Sequence, residues 1–276
     1  MTTLQREQVL ARLNQLPSLP ASIADLLASF ADEDVDVDRI SQLIARDQGL
    51  TARVLRVANS SFYGLQNRVG TIPEAVVILG FRAVRSMALA VGMSNIFRVE
   101  HCPGFDSRAY LRHCAAVGLA ARGLAAVSGQ HPELAFTGGI LHDIGQLVLA
   151  ANFPAEYGEA LAYRQQHDCF MVQAERAILG MDHGEVGGVL AQAWHFPPAL
   201  HAAVAEHHGP TSALADLIHV ADALAHALGL ACLADEMVMP VEPAAWQRLG
   251  LDSTKLAGIP AMIEQEMEDT CLVISG

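Results

Sequence analysis

The segment GGILHDIGQLVLA, residues Gly138–Ala150, carries three polar side chains in an otherwise apolar run: His142, Asp143 and Gln146. A helix that is apolar nearly all round is normally buried, and a buried polar group needs a hydrogen-bond partner or a ligand. On one continuous helix His142 and Asp143 would lie about 100° apart, with Gln146 one turn further along. A buried imidazole beside a buried carboxylate therefore indicates either mutual pairing or a shared cation.

Two further histidines lie on predicted helices. His113 shares a helical face with Val117, so it is predicted to point into the core, where a hydrogen-bonded core histidine is the alternative interpretation. His183 follows Asp182 and precedes Glu185, which form a capping-box pattern at a helix start. That pattern gives His183 no structural role, which leaves it available for chemistry.

His207, His208 and Asp222 complete the candidates. The two histidines precede a Gly-Pro pair at a predicted helix end, where a protonated imidazole would be stabilised by the helix dipole, and one of them is expected to face a site. Asp222 occupies a mid-helix position that Asp disfavours. His219 and His226, three before and four after, could pair with it on one face. A local ion pair and a ligand role are equally open for Asp222.

Together these side chains could form a metal site. Imidazole and carboxylate ligands suit iron, manganese or zinc, and two metals bridged by a carboxylate can activate water against a phosphoester. The ligands would come from separate helices, so the spacing lacks the compactness of a zinc-finger motif. The predicted cofactor is a divalent metal ion, and no other cofactor is expected. The predicted ligands are His113, His142, Asp143, His183, His207, His208 and Asp222, with Gln146 in the adjoining pocket.

The elements that must position these residues are helices. Apolar residues recur with helical periodicity, and no convincing alternating strand pattern with hairpin turns is present, so the fold class is predicted to be all-α. HCPGFD, His101–Asp106, is the best candidate for a boundary between an N-terminal helical lobe, 1–100, and a second helical lobe with a C-terminal helical extension, 101–276. Helices are predicted near 107–128, 138–152, 155–167, 170–179, 182–194, 198–208 and 211–229, with a short group after Pro240.

Composition narrows the setting. The 17 basic and 30 acidic residues give a net charge of −13, which disfavours nucleic acid and anionic membranes as partners. The N-terminus MTTLQREQVL is charged where a signal peptide needs an apolar core, and no stretch approaches the roughly 18 charge-free apolar residues of a membrane span. The 5 cysteines are scattered and never form a C-x-x-C pair, which favours the reducing cytoplasm.

The motifs resemble known families. The order His113, His142-Asp143, Asp222 is similar to the HD phosphohydrolase superfamily, and the additional His183 and His207-His208 resemble its HD-GYP cyclic-di-GMP phosphodiesterase branch. A closer resemblance is to the HDOD domain of bacterial signalling proteins. It covers roughly residues 14–230 and is carried by GGILHDIGQLVLA, by LPSLP at 16–20, and by RDQGLTARVLRVANSSFYGLQNRVGTIPEAVVILGFRAVRSMALA at 46–90. The resemblance implies a two-lobed helical fold and a signalling output role, usually without demonstrated hydrolase activity.

The sequence departs from the HD-GYP pattern in two places. A lysine typically follows the HD pair by one turn, whereas this chain has Gln146, which can hydrogen-bond a phosphate without neutralising it. The GYP signature is also missing, since HHGPTSALAD stands in that region. Gln48-Gly49 replaces the Asp-Pro common in HDOD sequences, a change in a turn that is expected to affect packing more than chemistry.

Two functions remain as hypotheses. The favoured one is a non-catalytic signalling module that engages a signalling protein or senses a ligand; the block 59–79 is predicted to be an interaction or lobe-docking element. The rival is a metal-dependent phosphohydrolase acting on a nucleotide or cyclic dinucleotide. The rival needs cations around its substrate, yet no lysine precedes Lys255, and Arg112 and Arg122 are the only basic residues between 109 and 130. Such a substrate would require arginines from the N-terminal lobe, such as Arg82 or Arg85.

Overall fold

The first six helices build the part of the chain before HCPGFD. The computed structural model describes residues 6–13, 18–31, 37–59, 68–93, 96–97, 99, 101–230 and 236–275. No strand occurs among these residues, so the all-α prediction is confirmed. Leu16 and Pro17 of the LPSLP motif and most of the NSSFYG turn lie outside the described residues. The helices are α1 (Arg6–Leu13), α2 (Ala21–Ala28), α3 (Val37–Ala45), α4 (Gln48–Ala58), α5 (Ile72–Leu79) and α6 (Phe81–Met93), with a 3-10 turn at Ser29–Ala31.

Eleven described helices follow the boundary segment. Those between 107 and 230 begin and end within a few residues of the predicted positions, apart from the segment around His142. They are α7 (Ser107–Ser128), α8 (Pro132–Leu141), α9 (Ile144–Asn152), α10 (Pro154–His167), α11 (Met171–Leu179), α12 (His183–Ala193), α13 (Pro198–Glu206), α14 (Ala213–Ala227), α15 (Pro243–Leu249), α16 (Ser253–Leu256) and α17 (Ile259–Ser275).

Helix ends follow local sequence signals. The Asp106 side chain accepts hydrogen bonds from the backbone at the start of α7, and Gly129 ends that helix in the left-handed conformation, with φ of 73°. The predicted capping box at Asp182 and Glu185 is present and opens α12. It fixes the start of the helix whose first residue is His183.

The predicted single helix at 138–152 is wrong. The structure has two helices there, because the chain turns at His142 and Asp143, where Asp143 adopts φ −95° and ψ 16°. The turn is closed by a hydrogen bond from the backbone N–H of Gln146 to the carbonyl oxygen of Asp143. The two helices can therefore point in different directions, and the two chemically important side chains lie at the corner between them.

Helix α7 is the centre of the packing. It contacts α8, α14 and α17, and most of its residues between Tyr110 and Ala125 are buried. Helix α17 also contacts α4, and α6 contacts α8, so the buried apolar residues on the two sides of HCPGFD form one core. The division into lobes at residue 100 stays a prediction.

The segment Pro132–Asn152 is long and apolar enough to cross a membrane by length and composition alone. In the folded chain 83% of its apolar window is buried, so packing against other helices accounts for its apolar character.

Helices α7 and α8 touch at paired glycines. An ideal Cβ on Gly139 would lie 2.6 Å from both the Cα and the N of Gly118, closer than real Cβ atoms approach backbone. We expect Gly139→Ala to lower the free energy of unfolding by about 1–3 kcal/mol, because only a backbone shift can relieve the overlap. Thermal or denaturant unfolding measures this loss.

Gly258→Ala is the matched control, since nothing lies within 4 Å of its added Cβ. Equal stability of the two variants would show that the close approach of α7 and α8 does not constrain the fold.

Candidate metal centre

The fold brings all seven predicted ligands to one place. His113 comes from α7, His142 and Asp143 from the corner between α8 and α9, and Asp222 from α14. His183 begins α12, and the pair His207-His208 follows α13. Six of these residues are buried and His208 is half-buried. These side chains, far apart in sequence, therefore share one polar centre inside an apolar core.

Asp143 lies between two groups of imidazoles. Its Oδ1 atom is 3.1 Å from Nε2 of His183 and 3.6 Å from Nε2 of His207. Its Oδ2 atom is 3.4 Å from Nε2 of His142 and 3.6 Å from Nε2 of His113. One carboxylate thus offers one oxygen to each group, which is the arrangement of a bridging ligand between two metal ions.

The first group is completed by Asp222. Its Oδ1 atom lies 3.1 Å from Nε2 of His113, 3.4 Å from Nε2 of His226 and 3.9 Å from Nε2 of His142. In the described part of the chain the buried Oδ1 atom has no hydrogen-bond partner of good geometry. An unpaired buried carboxylate oxygen surrounded by imidazoles is costly, and a cation would satisfy it.

The second group consists of His183, His207 and His208. Nε2 of His183 lies 3.3 Å from Nε2 of His207 and 2.7 Å from Nε2 of His208. Ligand atoms from these three residues lie within 4.8 Å of one another. Nitrogen atoms this close repel one another unless a proton or a metal ion lies between them, which makes the group a candidate metal site.

Hydrogen bonds fix the orientation of three of the rings. Nδ1 of His142 donates to the carbonyl oxygen of Gly139 at 2.7 Å, and Nδ1 of His207 donates to that of Val204 at 2.9 Å. Nδ1 of His183 pairs with the Glu175 carboxylate at 2.7 Å. Because Nδ1 of each ring is hydrogen-bonded to a group outside the centre, Nε2 is the atom that faces the centre. Histidines that bind metals have the same arrangement.

Burial controls the protonation of the histidines. Burial, reinforced by the neighbouring His142 and His183, lowers the pKa of His207 to about 3. Burial also lowers the pKa of His142 and holds that of His208 well below its ordinary value. These rings are therefore neutral at pH 7 and can offer a nitrogen lone pair to a metal.

The acidic groups have the opposite influence. Burial alone would lower the pKa of His183, but Glu175 and then Asp143 raise it well above its ordinary value. Burial would likewise raise the pKa of Asp143, yet His142 and His183 hold it well below its ordinary value. Burial would also raise the pKa of Asp222, but His113 lowers that pKa well below its usual range. Both aspartates are thus ionised ligands.

These residues fit one or two divalent cations. Five imidazole nitrogens and two ionised carboxylates face one another, and the chemistry of this donor set suits iron, manganese or zinc. The donors divide into two groups that share Asp143. Which metal is bound stays a prediction.

His207 and His208, both in the predicted ligand set, lie next to His183. The structure corrects the expected partner of Asp222. His219 does not pair with Asp222: it donates to the carbonyl oxygen of His207 at 2.7 Å and accepts from the backbone of Glu242 at 2.9 Å. The α14 helix turns His219 away from Asp222 and leaves His226 as the near neighbour.

Two acidic residues of the centre were absent from the predicted set. Glu175 is fully buried and holds His183 through both its ring and its backbone N–H. Glu236 lies 3.2 Å from Nδ1 of His226, and thereby directs that ring toward Asp222. A sequence signal existed for Glu175 alone, because it occupies an apolar helical face between Val172 and Ile178.

Gln146 is committed to its neighbours. Its amide donates to Oδ2 of Asp143 at 2.7 Å, and its carbonyl oxygen accepts from the hydroxyl of Tyr157 at 3.1 Å. Burial, with the charges of Glu175 and Asp143, raises the pKa of Tyr157 well above its usual range, so the phenol stays a donor. Gln146 therefore orients the Asp143 carboxylate, and it also lines the adjoining cavity.

A cavity of about 430 Å3 opens onto the centre. Among the described residues that line it, Arg164 is the one lysine or arginine. Arg85 is buried, donates to the carbonyl oxygen of Ser29 and stacks 3.9 Å from the centre of the Phe30 ring. Arg112 pairs with Glu268 instead. The side chain of Arg82 lies outside the described residues.

Known proteins match this chain over most of its length. A family model described as the HDOD domain matches residues 16–210. A crystal structure of an HDOD domain protein of unknown function from Geobacter sulfurreducens is 22% identical and covers 98% of both chains, with a TM-score of 0.79. A structure of a proposed phosphohydrolase from Shewanella amazonensis is 30% identical and covers 96% of both chains, with a TM-score of 0.75.

An uncharacterized protein of Treponema pallidum is 25% identical over 210 residues, which are 75% of this chain. The match spans 40% of that relative's length, well under half of it.

Metal content should depend on Asp143 more than on any single histidine. We expect the purified protein to bind two divalent ions, Asp222→Ala to lose one, and Asp143→Ala to lose both, because Asp143 serves both groups. Elemental analysis and thermal unfolding with and without a chelator measure this. At a hundredfold excess over its dissociation constant, one ion stabilises the folded chain by about 2.7 kcal/mol.

His201→Ala, a change in a half-buried histidine outside the centre, is the control and should keep the full metal content. A melting temperature that no chelator lowers, or full metal in Asp143→Ala, would contradict the assignment.

Glu175 should strengthen metal binding through His183. We expect Glu175→Gln to weaken metal binding about 10–100-fold, since a neutral amide no longer orients and polarises the imidazole. Competition with a chromophoric chelator measures the affinity, and Glu264→Gln, an exposed change, is the control. Unaltered affinity in Glu175→Gln would show that His183 does not bind the metal.

Proposed function

The chain belongs to the HDOD family, and from this premise we propose that it is a signal-transduction output module whose metal centre binds a ligand without hydrolysing it. It acts on a signalling protein, either directly or in response to that ligand. The observation that carries the proposal is the contrast between a full set of metal ligands and a cavity with Arg164 as its one lysine or arginine among the described residues.

Phosphoester hydrolysis would place two demands on the site. It needs a metal-activated water, for which the histidines and aspartates are suitable, and it needs positive charge around the phosphate. Gln146 occupies the place of the lysine typical of HD-GYP proteins, is neutral, and is already bonded to Asp143 and Tyr157. The second demand therefore lacks support among the residues around the centre.

A metal-dependent phosphohydrolase acting on a nucleotide or cyclic dinucleotide is the second candidate. It is favoured by the bridging position of Asp143 between two imidazole groups. The Shewanella amazonensis protein, proposed to be a phosphohydrolase, shares 30% of its sequence with this chain. The presence of a single arginine, Arg164, and of no lysine among the described lining residues argues against this candidate.

The proposed partner is a protein. A net charge of −13 opposes binding to nucleic acid and to anionic membranes. Val77 and Ile78 on α5 are 84% and 52% exposed, and they lie in the block 59–79 that is predicted to be an interaction element. The four described cysteines are free thiols, in keeping with the proposed cytoplasmic location.

We expect the metal-loaded protein to show no hydrolysis of cyclic di-GMP or of simple phosphoesters above the metal-only background, because Arg164 is the one lysine or arginine among the described residues that line the cavity. Product formation is followed by chromatography, with an established cyclic-di-GMP phosphodiesterase as the positive control. Turnover that disappears in both His142→Ala and Asp143→Ala would overturn the proposal and establish the phosphohydrolase.

A further inference from the structure

The cavity above the metal centre has a polar floor. His113, Asp143, His183, His208 and Asp222 line it, whereas His142 and His207 are fully buried and lie outside the lining. A molecule entering the cavity would therefore approach the centre from one side only. At about 430 Å3, the space falls within the range of small-molecule sites, roughly 300–1,000 Å3.

The walls of the cavity are mainly apolar. They come from the segment before α7, from α10, from the start of α11 and from the segment that follows Glu236. The half-buried apolar side chains are Phe105, Leu161, Phe170, Met171, Met237 and Met239. Apolar side chains that surround a polar floor and keep part of their surface exposed are typical of a site for a ligand with an apolar body.

The charges of the lining limit the head group of such a ligand. Asp106 near the entrance is acidic, Arg164 is the one lysine or arginine among the described lining residues, and the Asp143 and Asp222 carboxylates lie at the floor. A polyphosphate carries several negative charges, which metal ions at the floor and Arg164 would compensate only in part. A single carboxylate would be attracted to metal ions at the floor, because carboxylate oxygens are ligands for iron, manganese and zinc.

We propose that the cavity binds a medium-chain monocarboxylate, with its carboxylate toward the metal centre and its aliphatic chain against Leu161, Phe105 and Met239. The inference rests on the proposed function, since a ligand that is bound and not hydrolysed is what a sensing module requires. It adds the chemical class of that ligand. The segment that contains Met239 also carries Glu236, which holds His226 against Asp222. The same segment therefore contributes to the apolar wall and supports a residue at the polar floor.

Calorimetry with hexanoate, octanoate and decanoate on the metal-loaded full chain tests the proposal. Affinity should rise about threefold for each added methylene as the chain covers the apolar wall. Acetate should bind at least tenfold more weakly than decanoate, and decanol, which lacks the carboxylate, should also bind more weakly. Decanoate binding should be lost in the metal-free protein.

Leu161→Asp places a charge in the wall and should weaken decanoate binding at least tenfold. Val77→Asp is the matched control because Val77 is 84% exposed and lies outside the cavity. Both variants are checked by thermal unfolding, and the chain-length series in the unchanged protein gives an answer even if Leu161→Asp unfolds.

Affinity that is independent of chain length or of metal would overturn the proposal, as would cyclic di-GMP that displaces decanoate from the metal-loaded protein. If the protein binds metal and hydrolyses no phosphoester, but decanoate does not bind, then the ligand class is wrong and the non-hydrolytic function stands. Hydrolysis that depends on His142 would instead remove the function on which the ligand proposal rests.

Discussion

The Asp143 carboxylate is shared between two groups of buried imidazoles, and the rest of the centre is arranged around it. An isolated buried carboxylate would be strongly destabilising, but the imidazoles on both sides keep it ionised and hold its pKa low. Its two oxygens face different groups because Gln146 holds one side and the turn at His142 and Asp143 sets the direction of the side chain. A displaced Asp143 would leave both groups with unpaired nitrogen atoms.

Close packing of helices gives the centre its dimensions. An ideal Cβ on Gly145 would lie 1.9 Å from the carbonyl oxygen of His183, so only glycine lets α9 approach the start of α12 this closely. Gly139 and Gly118 bring α8 and α7 together in the same way. Helix α7 carries His113, and the corner after α8 carries His142. The backbone contact between these two helices therefore determines the distance between the two imidazoles.

Metal binding and phosphoester hydrolysis make separate demands on such a centre. The first needs neutral imidazoles and ionised carboxylates that converge. Burial keeps His142, His207 and His208 neutral, and neighbouring imidazoles keep both aspartates ionised. The second also needs compensation for the charge of the phosphate. Arg85 and Arg112, which could have supplied it, form contacts elsewhere. Their positions follow from the packing of the whole chain, which directs both side chains to other partners.

The sequence by itself determined the all-α class, most helix boundaries after residue 107 and the residues able to bind a metal. Helical periodicity, caps and side-chain chemistry are local properties that each segment carries alone. Only the tertiary structure decided that the chain turns at His142, that Glu175 and Glu236 hold His183 and His226, and that His219 faces away. It also decided that the cavity has apolar walls with few cations. The physical reason is that these features depend on how helices from distant parts of the chain pack, and no single segment encodes the position of its partners.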